Sequence, residues 1–321
     1  MTELECLAQP VLAPLTESAM FLTLTMRTGG EPAVHDLLPD LAGMIRSVAF
    51  PLPNEHLTCV LGIGAAAWDR LFSGERPASL HPFRALSGPR HQAPSTPGDL
   101  FLHIRATRPY PCFELARRVV TRLGPAIVVE DETVGFRYFD RRDLLGYVDG
   151  TENPGGRDAE VAALVAGQDP GFAGGSYLIV QKYLHDLAKW TAHPVEERDR
   201  AVGRHLADDV EIPNAEKAVD SHVALTTIED PDGTEHKIMR DNMPFGSIAR
   251  AEYGTYFCGY AADPEVMERM LSRMFLSERP DRLLEVSTAI TGALFFAPPA
   301  GFLADPPPLR ADRTGASNGT G

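Results

Sequence analysis

Residues 19–26 read AMFLTLTM, apolar and β-branched with no charge, the signature of a buried strand. Working outward, a helical pattern runs from Glu31 to about Ser47, with Leu37, Leu38, Leu41 and Ile45 on one face. Leu57–Gly64 (LTCVLGIG) predicts a second strand and Ala65–Phe72 a short helix. Ser73 to Gly98, rich in Pro, Gly, Ser and His, reads as a long loop. Leu100–Ala106 (LFLHIRA) is a third strand. A helix follows from near Pro111 through Leu115, Val119 and Leu123, and proline suits its first turn because the missing N–H costs nothing there. A fourth strand lies within Ala126–Phe139, its alternation clearest in VGFRYF. The order β-α-β-β-α-β is the ferredoxin-like arrangement, an antiparallel sheet with helices packed on one face.

The second half repeats the order of elements without repeating the sequence. Gly175–Tyr183 (GSYLIVQKY) reads as a strand, and Leu184–His205 as largely helical with a break near Pro194. Strands are expected around His236–Arg240 and at Gly254–Ala261 (GTYFCGYA). Pro264–Leu276 is a helix with Asp263 as N-cap and proline at its first position. Gly292–Ala297 (GALFFA) closes the sheet. The fold class is therefore α+β. One ferredoxin-like module is expected over residues 1–145, a second over 146–304, and a flexible tail over 305–321 (DPPPLRADRTGASNGTG).

Composition narrows the function. The chain has 321 residues, 44% of them hydrophobic, enough for a sizeable core. A formal net charge of −14 argues against a general nucleic-acid binder, and no basic cluster offsets it. Cys6, Cys59, Cys112 and Cys258 are far apart with no CxxC pair, so they read as free thiols in a reducing compartment. The N-terminal MTELECLAQPVLAPL has acids where a secretory signal needs positive charge. No apolar run is long enough to span a membrane. A cytoplasmic protein is the expectation.

Polar residues that packing does not explain gather in three places. Gly146–Pro154 reads GYVDGTENP, with glycines around Asp149 that permit tight turning and close approach of a bulky ligand. In Ile238–Gly246 (IMRDNMPFG), an extended backbone places Arg240 and Asn242 on the same side. His222 stands in Asp220–Thr227 (DSHVALTT), and the other nine histidines show no two-histidine ligand spacing. Read singly, these segments are a surface turn, a strand edge and a hydrogen-bonded histidine. A lone histidine can still hold a haem iron, because the macrocycle supplies the four equatorial nitrogens.

Taken in order, GYVDGTENP, GGSYLIVQKYLHDLAKW, DSHVALTT, IMRDNMPFG and GTYFCGYA resemble the dye-decolourising peroxidase family, most of all its bacterial B-type subgroup. The likeness spans roughly Ala19 to Pro299 and is most specific in the second half. It implies two ferredoxin-like modules of the dimeric α+β barrel type, with haem b held largely by the second. By motif, Asp149 matches the distal aspartate, Arg240 and Asn242 the distal pair, and His222 the proximal ligand. Arg204 in Val202–His205 matches the arginine that meets a haem propionate, although His205–Leu206 departs from the Thr-Lys that often follows. The proximal histidine should donate its other ring N–H to a carboxylate, and Asp281 or Glu285 in DRLLE would serve.

The resemblance implies a peroxidase that reduces hydrogen peroxide by way of a ferryl intermediate and oxidises phenols, aromatic dyes or other small reductants. It also implies a homo-oligomer. Trp190, Tyr147 and Tyr256 read first as core aromatics and second as electron relays. A haem carrier, store or iron-releasing protein is the alternative, and a chlorite-acting enzyme of the same fold type a third reading. Some family members dock inside a protein nanocompartment through a C-terminal peptide, but Gly315–Gly321 lacks the small-hydrophobic-plus-lysine pattern such a peptide would need.

Overall fold

The computed structural model describes residues 2–310. The four strands of the first half are Ser18–Met26, Thr58–Gly64, Leu100–Ala106 and Ile127–Phe136. Across their sheet they lie in the order fourth, first, third, second, and every pairing is antiparallel. In the second half Ser176–His185, Met239–Arg240 with Met243–Ser247, Glu252–Ala261 and Ala293–Ala297 repeat that order. The halves join edge to edge where Phe295 and Phe296 pair with Gly64 and Ile63, giving one ten-stranded sheet. The sheet curls, so that Ile127–Phe136 packs against Met243–Ser247. A Cβ at Gly135 would lie 2.6 Å from that of Met243, so only glycine permits the approach.

Curling explains the continuous apolar runs. Met20, Leu22 and Leu24 face helices Glu31–Ala49 and Pro109–Leu123 on the outside, whereas Ala19 and Phe21 point inward. The inward face is a second core built from both halves, in which Phe21 stacks on Tyr256 with ring centroids 4.1 Å apart. Strands buried on both faces lose the polar alternation of a half-exposed sheet.

Most expected elements appear within a few residues. The long loop carries a small hairpin, Leu86–Ser87 with Gln92–Ala93. The expected helix from Leu184 starts later, because Leu184 and His185 pair with Thr288 and Ser287 and remain strand; helices Leu187–Ala192 and Val195–Val202 follow. Helix Gly156–Ala163 and strand Met243–Ser247 were not anticipated. Residues 305–310 depart from the expected flexible tail. Leu309 bridges to Phe72, the Ser73 N–H donates to the Pro308 carbonyl, and the Arg310 N–H donates to the Leu71 carbonyl. The remainder of the tail reading, including Gly315–Gly321, lies outside the described residues.

In the first half, helix Glu31–Ala49 makes the connection from first to second strand. In the second half the same connection, residues 186–238, is long and broken into short helices and turns. It opens a cavity above the outer face of strand Ser176–His185.

Candidate active site

That cavity has a volume of about 820 Å³, within the range of cofactor pockets. Among the described residues its lining begins at Asp143, so of the module expected over residues 1–145 only Asp143 and Leu145, at its very end, border it. His222, Asp149, Arg240, Asn242 and Arg204 all line it, as do the apolar Phe257, Met267, Met270 and Leu271.

His222 opens the short helix His222–Thr226, with Ser221 as N-cap accepting from the Ala224 N–H. Its Nδ1 lies 2.7 Å from Oδ2 of Asp281, which is fully buried. The other oxygen of Asp281 accepts from the Leu283 N–H at 2.9 Å, and the Asp281 N–H donates to the Met274 carbonyl. The carboxylate is thereby fixed before it meets the ring. An acceptor at Nδ1 puts the ring proton there and leaves the Nε2 lone pair free to bind a metal. Of the two expected partners, Asp281 makes this contact. Glu285 is exposed and offers its backbone carbonyl to Lys189 instead.

The opposite wall comes from two segments tied together by asparagines. The Asn153 side chain clamps the backbone of Arg240 from both sides, donating to its carbonyl at 2.7 Å and accepting from its N–H at 2.9 Å. Asn242 donates from Nδ2 to Asp149 at 3.2 Å and accepts from the Cys258 N–H at 3.1 Å. Gly146 and Gly150, at φ 99° and 78°, supply the left-handed turns on either side of Asp149. Among the described residues no ion pair or hydrogen bond engages the Arg240 guanidinium. Burial lowers its pKa from the ordinary value while Asp149 and Glu152 pull the other way; an arginine stays charged regardless.

Arg204 follows Gly203, which ends helix Val195–Val202 at φ 96°. Its guanidinium donates to the Asp209 carbonyl at 2.7 Å, to Glu211 at 3.3 Å and to Glu152. It borders the cavity with much of its donor capacity already used. His205, at the departure from the family pattern, meets Asp199 instead, 3.1 Å away. Asp199 also accepts from the Tyr147 hydroxyl at 2.7 Å, and Trp190 donates to the Leu145 carbonyl. Trp190, Tyr147 and Tyr256 are all buried.

Asp143 is a cavity residue that sequence reasoning missed, and nothing but its nearness to GYVDGTENP could have marked it. Its Oδ1 accepts from the Tyr147 N–H at 3.0 Å. Burial, with a smaller push from Asp149, raises its pKa from 3.8 to about 7. The folded protein therefore keeps this proton at pH values where the unfolded chain has lost it. The associated stability is complete below about pH 3.8 and is lost as pH rises through about 7. Asp143→Asn, which cannot ionise, is expected to gain stability relative to the parent across that window. Denaturant unfolding of both proteins from pH 4 to 8 checks it, and a pH-independent gap would refute it.

These donors fit a haem. A single imidazole with a free Nε2 faces a cavity whose walls are apolar on one side and cationic at Arg204 and Arg240. Among the described residues no group of three or more His, Cys, Asp or Glu could hold a bare metal ion.

Comparison with known proteins places nearly the whole chain in one family. Residues 8–137 match the model for the Dyp-type peroxidase N-terminal domain and residues 140–302 that for the C-terminal domain. The chain is 53% identical to a dye-decolorizing peroxidase of Mycolicibacterium paratuberculosis, over 96% of this chain and 88% of that one. It is 53% identical to one from Mycobacterium tuberculosis, over 94% and 91%. Among solved structures it is similar to the encapsulated DyP-type peroxidase of Mycobacterium smegmatis, with TM-score 0.94, 54% identity and 95% and 100% of the two chains covered. A variant of DypB from Rhodococcus jostii RHA1 in complex with heme gives TM-score 0.91 and 50% identity, covering 94% and 99%.

Proposed function

The chain belongs to the dye-decolourising (Dyp-type) peroxidase family and is a haem-dependent peroxidase, and from that premise we propose that His222 holds the iron of haem b while Asp149, Arg240 and Asn242 handle the peroxide. The observation that carries the assignment is that one cavity brings a carboxylate-held imidazole together with an unengaged guanidinium beside a carboxylate. Haem supplies, when bound, the redox centre that takes two electrons' worth of oxidising power from peroxide and passes it on in one-electron steps.

The protein's part is proton handling and charge placement. Asp149 takes a proton from one peroxide oxygen and returns it to the other, which leaves as water. Arg240 stabilises the negative charge that develops on the departing oxygen. Asn242, held by the Cys258 N–H, orients Asp149 through its Nδ2. Arg204 meets a propionate with the donor capacity its three acidic neighbours leave. Phenols, aromatic dyes or other small reductants then supply two electrons.

We propose two modules divided at 145/146, on the repeated strand order; the two family models also number two but part a few residues earlier, between 137 and 140. A cytoplasmic homo-oligomer is the expected state. Its supports are the free cysteines, the absence among described helices of any long and apolar enough to cross a membrane, and likeness to the family. Neither nucleic acid nor membrane is a proposed partner, given the net charge of −14.

Mixing haem-loaded protein with one equivalent of peroxide tests the reading. A fast change in the haem spectrum, reversed by an aromatic donor, is expected. Slow bleaching would point to the carrier, and oxygen release from chlorite to the third reading.

A further inference from the structure

Asp241 lies between Arg240 and Asn242 and points away from the cavity. It is 4% exposed and enters the inner core shared by the two halves. There it meets Arg105, which is fully buried on strand Leu100–Ala106 of the first half. Arg105 donates to Asp241 and to the backbone carbonyls of Pro10 and Ala13. His103, two residues earlier on the same face, places Nε2 3.8 Å from the Asp241 carboxylate and Nδ1 2.8 Å from the Tyr260 hydroxyl.

We propose that the Arg105–Asp241 ion pair is a positioning couple for the peroxide reaction, through which the first half of the chain sets the placement of Arg240 and Asn242. The proposal rests on the distal assignment made above. Three observations support it. Asp241 and Asn242 fall in a break between strands Met239–Arg240 and Met243–Ser247, so side chains as well as the sheet ladder must hold them. Met239–Arg240 is itself short and pairs on one side only, with Tyr260 and Gly259. The pair is also a costly way to fill a core. Asp241 Oδ1 and Arg105 Nε have no hydrogen-bond partner, and buried ion pairs can often be replaced by apolar residues without loss of stability. What an apolar pair lacks is direction. Arg105 meets the carboxylate through Nη1 alone while Nη2 holds the Pro10 carbonyl, so one planar guanidinium ties residue 241, and with it the adjoining backbone, to the N-terminal segment in a fixed direction.

The test uses haem-loaded enzyme. Arg105→Met alone strands a buried carboxylate and should be strongly destabilising, so the informative variant is Arg105→Met with Asp241→Leu, a neutral pair. The expected result is near-parental melting temperature, haem content and axial-ligand spectrum, with the second-order rate of reaction with peroxide down by about 10²-fold, the scale of a 1 Å misplacement. The rate with an aromatic donor after peroxide has reacted should not change. Cyanide affinity, read by spectral titration, should weaken in parallel, because cyanide binds on the same face. Arg105→Lys keeps the charge without the planar guanidinium and should fall between parent and double variant; if the double variant does not fold, this variant decides alone. Parental peroxide rate and cyanide affinity in the deciding variant would show the pair to be packing and overturn the inference. Arg240→Leu is the control. If it is slow while the deciding variant is not, only the positioning role fails. If Arg240→Leu itself reacts at the parental rate, the distal assignment falls and the inference with it.

Discussion

His222→Ala is expected to abolish the axial-ligand signature of the bound haem and to leave the purified protein with a small fraction of the parental haem content. The imidazole is held at Nδ1 by Asp281, a carboxylate with no exposure of its own, and its Nε2 faces the cavity. Among the other histidines, His185 and His236 also border the cavity. Both ring nitrogens of His185 are taken, by Thr255 and Ser287 at 2.9 Å each, and burial lowers the pKa of His185 to about 4. His236 places Nε2 2.6 Å from Asp230, a partly exposed carboxylate. Neither imidazole is backed by a fully buried carboxylate as His222 is. Asp281→Asn should be the milder lesion. It keeps the shape but not the charge that orients the ring, and loss of such a partner typically costs about 10–100-fold in metal affinity or activity. Glu285→Gln should change neither, since that side chain is exposed. Haem-to-protein ratio and absorption spectra of the three variants check the order. Full haem content with an unchanged ligand signature in His222→Ala would place the ligand elsewhere.

The sequence pattern carried the architecture further than it carried the site, for a physical reason. Runs such as AMFLTLTM and LFLHIRA are long, uncharged or nearly so, and buried on both faces, so burial alone writes them. The fourth strand of the second half, Ala293–Ala297, is legible in the same way, whereas Ile127–Phe136 is largely exposed and shows by its alternation, and helix Pro264–Leu276 by its N-cap and first-turn proline. Leu184 and His185 were misread because their pairing with Ser287 and Thr288 is contributed by residues a hundred positions away. Resemblance supplied Asp149, Arg240, Asn242, His222 and Arg204, which their spacing alone would have left as a turn, a strand edge and a packed histidine. The choice between Asp281 and Glu285 needed burial, because the same 3-10 turn holds one inward and the other outward. Arg105 and His103 stood in plain view as polar residues two apart in an apolar strand. That spacing marks one face, but nothing local indicates that the face is an interior core with Asp241 across it.

Arg240→Leu is expected to slow the reaction with peroxide more than Asp149→Asn does. Loss of a positioned acid–base group typically costs about 10²–10⁴ in rate, and loss of one electrostatic donor about 10²–10³. The ranges overlap, so the surroundings must decide. Asp149 has understudies. A second cavity of about 40 Å³ borders Asp149, Arg240 and Asn242, with room for a water or two to carry the proton in its place. The guanidiniums near Arg240 are committed elsewhere. Arg204 is held by Glu152, Asp209 and Glu211, Arg142 by the Gly146 and Leu206 carbonyls, and Arg137 by Glu17. Leucine at position 240 also takes away the positive charge that Asp149 and Glu152 face. The one substitution therefore strips this wall of its unengaged cation, whereas Asp149→Asn leaves the guanidinium standing. Asn153 clamps the backbone of residue 240 and not its side chain, so the leucine variant should keep the wall in register. Stopped-flow rates with peroxide for the two variants, each fully haem-loaded, measure the difference, and a slower Asp149→Asn would reverse the order and make proton transfer the larger part of the barrier.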